Sequence, residues 1–198
     1  NKQLVSYGGD VAVGAYGIAN RMMFFFVMVV IGINQGMQPI AGFNFGAKHY
    51  TRLNQVLKYA ITIATGIWIV GFIVCVLLAT PVASAFTNDE ELLKEAAHAL
   101  RVMNLVVPII GFQMITIGFF QSIGKAGISI FLSLTRQLLF LVPLLLILPN
   151  FFGLEGIWYS VPIADGTAAI TAAIVLIYHM RKFKMRGKLE NSNLQTEI

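Results

Sequence analysis

Gly32–Arg52, GINQGMQPIAGFNFGAKHYTR, follows the apolar run Met22–Ile33 and decides how the whole chain is read. Glycine stands at Gly36, Gly42 and Gly46 and proline at Pro39, ahead of the basic cluster Lys48, His49 and Arg52. Glycine, glutamine and asparagine are poor choices for a lipid-facing helix. They fit where a membrane helix packs tightly against protein, or lines a wet cavity, before it leaves the bilayer. The basic cluster would then mark the cytoplasmic side. A helix end followed by a polar loop is the plainer reading of the same letters.

Composition points the same way. Hydrophobic residues make up 57% of the 198 residues and charged residues 12%, against about 25% charged in a soluble domain. The formal charge of +5 does not argue for nucleic acid, because the bases sit in short loops beside apolar runs rather than along one polar face. The single cysteine, Cys75, lies in an apolar run and reads as a buried, inert thiol.

A bilayer core about 30 Å thick needs roughly 20 apolar residues per helix. Five segments qualify: about Val11–Pro39, Val56–Val82, Ala97–Ser122, Ile128–Leu148 and Leu154–Tyr178. The expected fold is therefore all-α, a polytopic transmembrane bundle of about five spans over residues 1–183, with a polar, unstructured tail over 184–198. Lys48, Arg52 and Lys58 follow the first span, Lys125 the third, and Arg181, Lys182, Lys184, Arg186 and Lys188 the fifth. Asp89, Glu90, Glu91 and Glu95 follow the second, with Lys94 alone against them. Bases thus alternate sides with each crossing, which places the C-terminus in the cytoplasm and the N-terminus outside. Asn1 opens the chain with no signal-peptide pattern, so an outside N-terminus leads us to expect a further span upstream and a longer parent protein. Asn88 with Glu91 three residues on reads as a capping box at the start of the helix leading into span three.

Several ordered motifs carry a resemblance. AVGAYGIANR (Ala12–Arg21), GINQGMQPIAGFNFGAK (Gly32–Lys48), SIGKA (Ser122–Ala126), LTRQLLFLVPLLLILP (Leu134–Pro149) and GIWYSVPIAD (Gly156–Asp165) together resemble the second-lobe signature of the multidrug and toxic compound extrusion (MATE) transporters, in particular the bacterial DinF/MepA-like branch. It extends to about Phe183. The resemblance implies helices eight to twelve of a twelve-helix, two-lobe transporter in a bacterial inner membrane, with the N-terminal lobe as a missing partner. It also implies secondary active efflux of organic cations against protons or sodium, by alternating access, and no activity of this piece alone. The alternative is a related flippase of lipid-linked sugars, whose pore would carry more bases for a pyrophosphate. In some relatives the helix equivalent to span three carries a carboxylate for sodium; this span has none in its apolar part, which argues against a sodium site here.

Ionisable or polar residues inside a membrane cost about 2.5–3.5 kcal/mol on insertion scales, so each is a candidate for the substrate or ion pathway. Asp165 lies half-way along span five, three residues after Pro162, and reads either as a cation-sensitive carboxylate or as the partner of a neighbouring arginine. Arg136 in span four either snorkels or pairs with Asp165 or a carbonyl, and Arg21 in span one must face protein or water. Gln35 and Gln38, Asn104 and Gln113 supply uncharged polar groups, either to a cavity wall or to hydrogen bonds between helices. Asn34, Gln121 and Gln137 belong to the same set. Pro108, four residues after Asn104, would bend span three. Gly36, Pro39, Gly42, Pro108 and Pro162 are the hinge candidates. Phe24–Phe26, Met22, Met23, Met28, Phe112, Met114, Phe119, Phe120 and Tyr159 suit a pocket for flat hydrophobic cations. Trp158 and Tyr159 suit an outer interfacial belt equally well. His49, His98 and His179 are far apart, and no HExxH, GxSxG or Walker loop is present, so no enzyme, cofactor or metal is expected.

Overall fold

The computed structural model describes the backbone of residues 2–196 and the side chains of residues 4–106 and 108–183. Within these residues it is all-helical: α1 Lys2–Gly46, α2 Tyr50–Phe72, α3 Ala79–Ser84, α4 Glu90–Met103, α5 Val107–Ser122, α6 Ala126–Leu134, α7 Val142–Phe152 and α8 Leu154–Thr196. Four stretches are long and apolar enough to cross a bilayer, namely Leu4–Gly46, Tyr50–Leu77, Ala126–Phe152 and Leu154–Phe183. A fifth stretch, Glu90–Met103 with Pro108–Ser122, is apolar enough only when the two helices are taken together, and they meet at a 56° bend, as in a broken span or a re-entrant loop. The chain is thus a polytopic transmembrane bundle.

The glycine- and proline-rich stretch remains helical. Instead of ending at Pro39, the first span continues through Gly42 to Gly46 and turns only at Ala47–His49, where Lys48 takes φ +58°. Proline forfeits one helical hydrogen bond, which membrane helices tolerate where their surroundings meet the freed carbonyl. At Gly42 a Cβ would stand 3.0 Å from the Ser122 carbonyl oxygen, so the lack of a side chain lets α1 close on the end of α5. The one non-helical residue inside α1 is Gly9, at φ +60°.

Span three bends where the sequence places the bend. Asn104 closes α4 and Pro108 sits in the first turn of α5, where its missing N–H has no helical partner to lose. The cap at the other end of α4 is one residue later than the capping box implies. Asp89, not Asn88, is the N-cap, and its Oδ1 accepts the N–H groups of Glu91 and Leu92, each at 2.9 Å. Thr87 Oγ1 in turn accepts the Asp89 N–H at 3.1 Å. A carboxylate satisfies two orphan donors and meets the positive end of the helix dipole, which an asparagine amide does less well.

α5 is the centre of the bundle, packed on α1, α2, α6 and α8. Glycine permits its close approach to α2, since a Cβ at Gly111 would stand 2.9 Å from the Ala64 carbonyl oxygen and against the Trp68 ring. In a membrane such small-residue contacts, rather than expulsion of water, hold helices together. Gly153 (φ +58°) turns α7 into α8, and Gly156 sits against the Leu148 backbone at 2.5 Å from a would-be Cβ. α8 carries a helical backbone through the polar tail to Thr196; residues 197 and 198 lie outside the described residues.

The loops sort by charge. At one end Phe45, Tyr50 and Phe183 form ring contacts (5.6 Å for Phe45–Phe183, 6.2 Å for Tyr50–Phe183), and Lys125 Nζ lies 4.8 Å from the Phe183 ring centre. This gathers the loops after the first and third spans beside the end of the fifth. At the other end Trp158 Nε1 donates to Glu95 Oε1 at 3.1 Å and His98 Nε2 stands 2.7 Å from Glu155 Oε1. The alternation read from the loops is therefore the alternation of the bundle.

Candidate functional site

Two charged residues meet between spans. Arg136 Nε donates to Asp165 Oδ1 at 2.6 Å, joining the fourth span to α8. Asp165 is 2% exposed, whereas the Arg136 side chain is about one-third exposed. The geometry is that of the arginine-partner reading of Asp165. Asp165 Oδ2 has no hydrogen-bond partner. Arg136 sits in a π-helical stretch, Thr135–Leu141, between α6 and α7. Such a turn holds an extra residue and re-aims the side chains around it.

The other polar candidates separate into buried and open groups. Asn104 is buried, and its Nδ2 donates to the Leu100 carbonyl at 2.8 Å, so the amide serves its own helix at the bend. Gln113 is 1% exposed, and neither of its amide atoms has a partner. Asn34 projects into the notch left by Gly118, and its Oδ1 is likewise unpartnered. Arg21 and Gln35 are exposed and Gln38 is half-buried, all on α1. Gln121 and Gln137 are exposed on their own spans.

Among the hinge candidates, Pro108 stands at the break, while Gly36, Pro39, Gly42 and Pro162 lie inside continuous helix. The aromatic set divides likewise. Phe26, Phe119 and Phe120 are core residues, Phe24 and Phe25 are exposed on α1, and Tyr159 is 41% exposed. Trp158 is fully buried against the other helices, and its indole N–H donates to Glu95 at the acid-rich end.

Pairs that sequence reading missed, such as His98–Glu155 and Glu95–Trp158, join residues too far apart for helical spacing to reveal. The buried hydroxyls of Thr116, Thr135 and Ser160 donate to carbonyls four residues back, so each serves its own helix. Among the described residues no three His, Cys, Asp or Glu side chains converge as a metal site would.

One face of α1 stays uncovered by the rest of the bundle. Arg21, Phe24, Phe25, Met28, Gly32, Gln35, Gly36 and Pro39 recur at helical spacing along it, and all are exposed. The exposed residues of α7 are by contrast mostly aliphatic and aromatic, including Leu146, Ile147, Phe151 and Phe152.

A bundle of four apolar crossings and one bent helix pair, with polar groups sealed between the helices, defines a polytopic helical membrane protein. Residues 3–147 match the MatE family model, and the chain belongs to that family. It is 25% identical over 177 residues to the multidrug export protein MepA of Staphylococcus aureus (strain MSSA476), covering 89% of this chain and 39% of that protein. The chain thus spans about two fifths of the length of the curated relatives it matches. The solved structure of the MATE multidrug transporter DinF-BH is 39% identical, with TM-score 0.79 over 91% of this chain and 40% of that one. A crystal structure of "MATE in the bent conformation" is 25% identical, with TM-score 0.87 over 95% and 42%.

Proposed function

We propose that this chain is the C-terminal lobe of an exporter that moves organic cations outward against protons or sodium. The observation that carries the reading is the uncovered face of α1. A membrane helix that exposes arginine, glutamine, proline and two glycines among phenylalanines and methionine is too polar for lipid and fits a surface facing a second lobe across a wet pathway. Its aromatic and methionine side chains suit flat, hydrophobic cations through cation–π contact and adaptable packing. The names of the relatives, a multidrug export protein and a multidrug transporter, support the same reading. In this reading the base-rich end is cytoplasmic, the membrane is a bacterial inner membrane, and a second lobe completes the pathway.

A flippase of lipid-linked sugars is the weaker reading. Arg136 is held by Asp165, which leaves Arg21 as the exposed base deep in a span among the described residues. A pyrophosphate pore would need more.

The test places the full gene product in sealed vesicles with a fluorescent organic cation, under a proton or a sodium gradient. Movement driven by one gradient establishes antiport and names the ion. No movement under either overturns the proposal. The 198-residue chain alone is expected to move nothing.

A further inference from the structure

We infer that the groove between α2 and α8 at the base-rich end holds an anionic phospholipid. It measures about 460 Å³, and its floor is apolar, formed by Leu57 and Ile61 of α2 and Leu176, Ile177 and Met180 of α8. Lys58 and Arg181 line it from opposite helices, and both are exposed. Neither forms an ion pair among the described residues. No carboxylate occurs anywhere in α2, nor between Gly166 and Leu189 in α8.

The layout matches a lipid. Asn54, Leu57, Lys58, Ile61 and Thr62 share one face of α2, and at 1.5 Å per residue they cover roughly 12 Å, close to the depth of one leaflet of hydrocarbon. Charge stands near the membrane surface and apolar side chains run inward, so a phosphate would meet Lys58 and Arg181 while an acyl chain lies along the floor. Basic pockets between membrane helices bind anionic headgroups by this arrangement. The inference rests on the bundle lying in a membrane and is independent of the transported substrate.

The experiment uses the delipidated full gene product in detergent. Native mass spectrometry titrates phosphatidylglycerol against phosphatidylcholine of the same acyl chains. Phosphatidylglycerol is expected to bind at least about tenfold tighter, each basic group near an anionic headgroup contributing about fivefold. Lys58→Gln with Arg181→Gln should bring it down to the phosphatidylcholine level, and both substitutions are at exposed positions where folding is not at stake. Ile61→Trp, with both charges kept, should weaken both lipids. Equal binding of the two lipids, or an unchanged double variant, overturns the inference. So does full competition by glycerol phosphate, which would make the site one for free phosphate. A cross-link from Leu176→Cys to another segment of the longer product would show protein in the groove and also overturn it. Lipid retention is read without transport, so failure of cation export leaves this result standing by itself.

Discussion

Asp165 and Arg136 differ in their access to water, and their substitutions should differ accordingly. Removing Arg136 strands a carboxylate that is 2% exposed, which in buried pairs costs about 3–5 kcal/mol. Removing Asp165 leaves an arginine whose side chain is about one-third exposed and long enough to reach the interface. Arg136→Ala is therefore expected to lower the thermal midpoint in detergent more than Asp165→Ala, and Arg136→Met with Asp165→Leu should recover most of the loss. Equal effects of the two single variants would contradict this asymmetry. Asp165→Asn separates the roles further. Wild-type transport in that variant would make the pair a structural tie, while loss of transport at an unchanged midpoint would assign Asp165 to coupling. The pairing of Arg136 with Asp165 was one of three options open from sequence, since 29 residues of separation bring two side chains together only through the α6–α8 hairpin.

Among elements, α5 packs on α1, α2, α6 and α8, and Gly111 brings its backbone close to the Ala64 carbonyl of α2. Gly111→Ala must push α5 from the Ala64 carbonyl, which backbone cannot yield as a side chain can. The variant is expected to lose about 1–3 kcal/mol, measured by thermal unfolding in detergent, whereas Gly127→Ala, with open space around it, should be nearly silent. A silent Gly111→Ala would mean that α2 and α5 are not held at this distance. The elements themselves were largely legible from sequence: the apolar helices, the bend at Pro108 and the loop charges all follow from local pattern. The persistence of helix through Pro39 was not legible, because whether a proline ends or merely bends a membrane helix depends on what surrounds it. The shift of the cap from Asn88 to Asp89 has a similar origin, both side chains being competent caps one residue apart.

At the scale of the whole molecule, the two ends of the bundle are unlike. One gathers Lys48, Arg52, Lys125 and Arg181; the other gathers Glu90, Glu91, Glu95 and Glu155. If the base-rich end is cytoplasmic, a cysteine placed at Glu90 in a Cys75→Ala background should react with an impermeant maleimide on intact cells, and one placed at Lys182 only after permeabilisation. The opposite labelling would invert the bundle and the direction of transport assigned to it. Sequence alone determined the membrane class, the apolar segments, the alternation of loop charge and the family resemblance, because hydropathy, loop charge and motif order are local properties of the chain. Only the tertiary structure decided which polar groups are partnered, which face of α1 stays open and where a groove forms between α2 and α8. Those depend on which helices stand side by side, and helical periodicity sets which residues share a face without naming the helix that covers it.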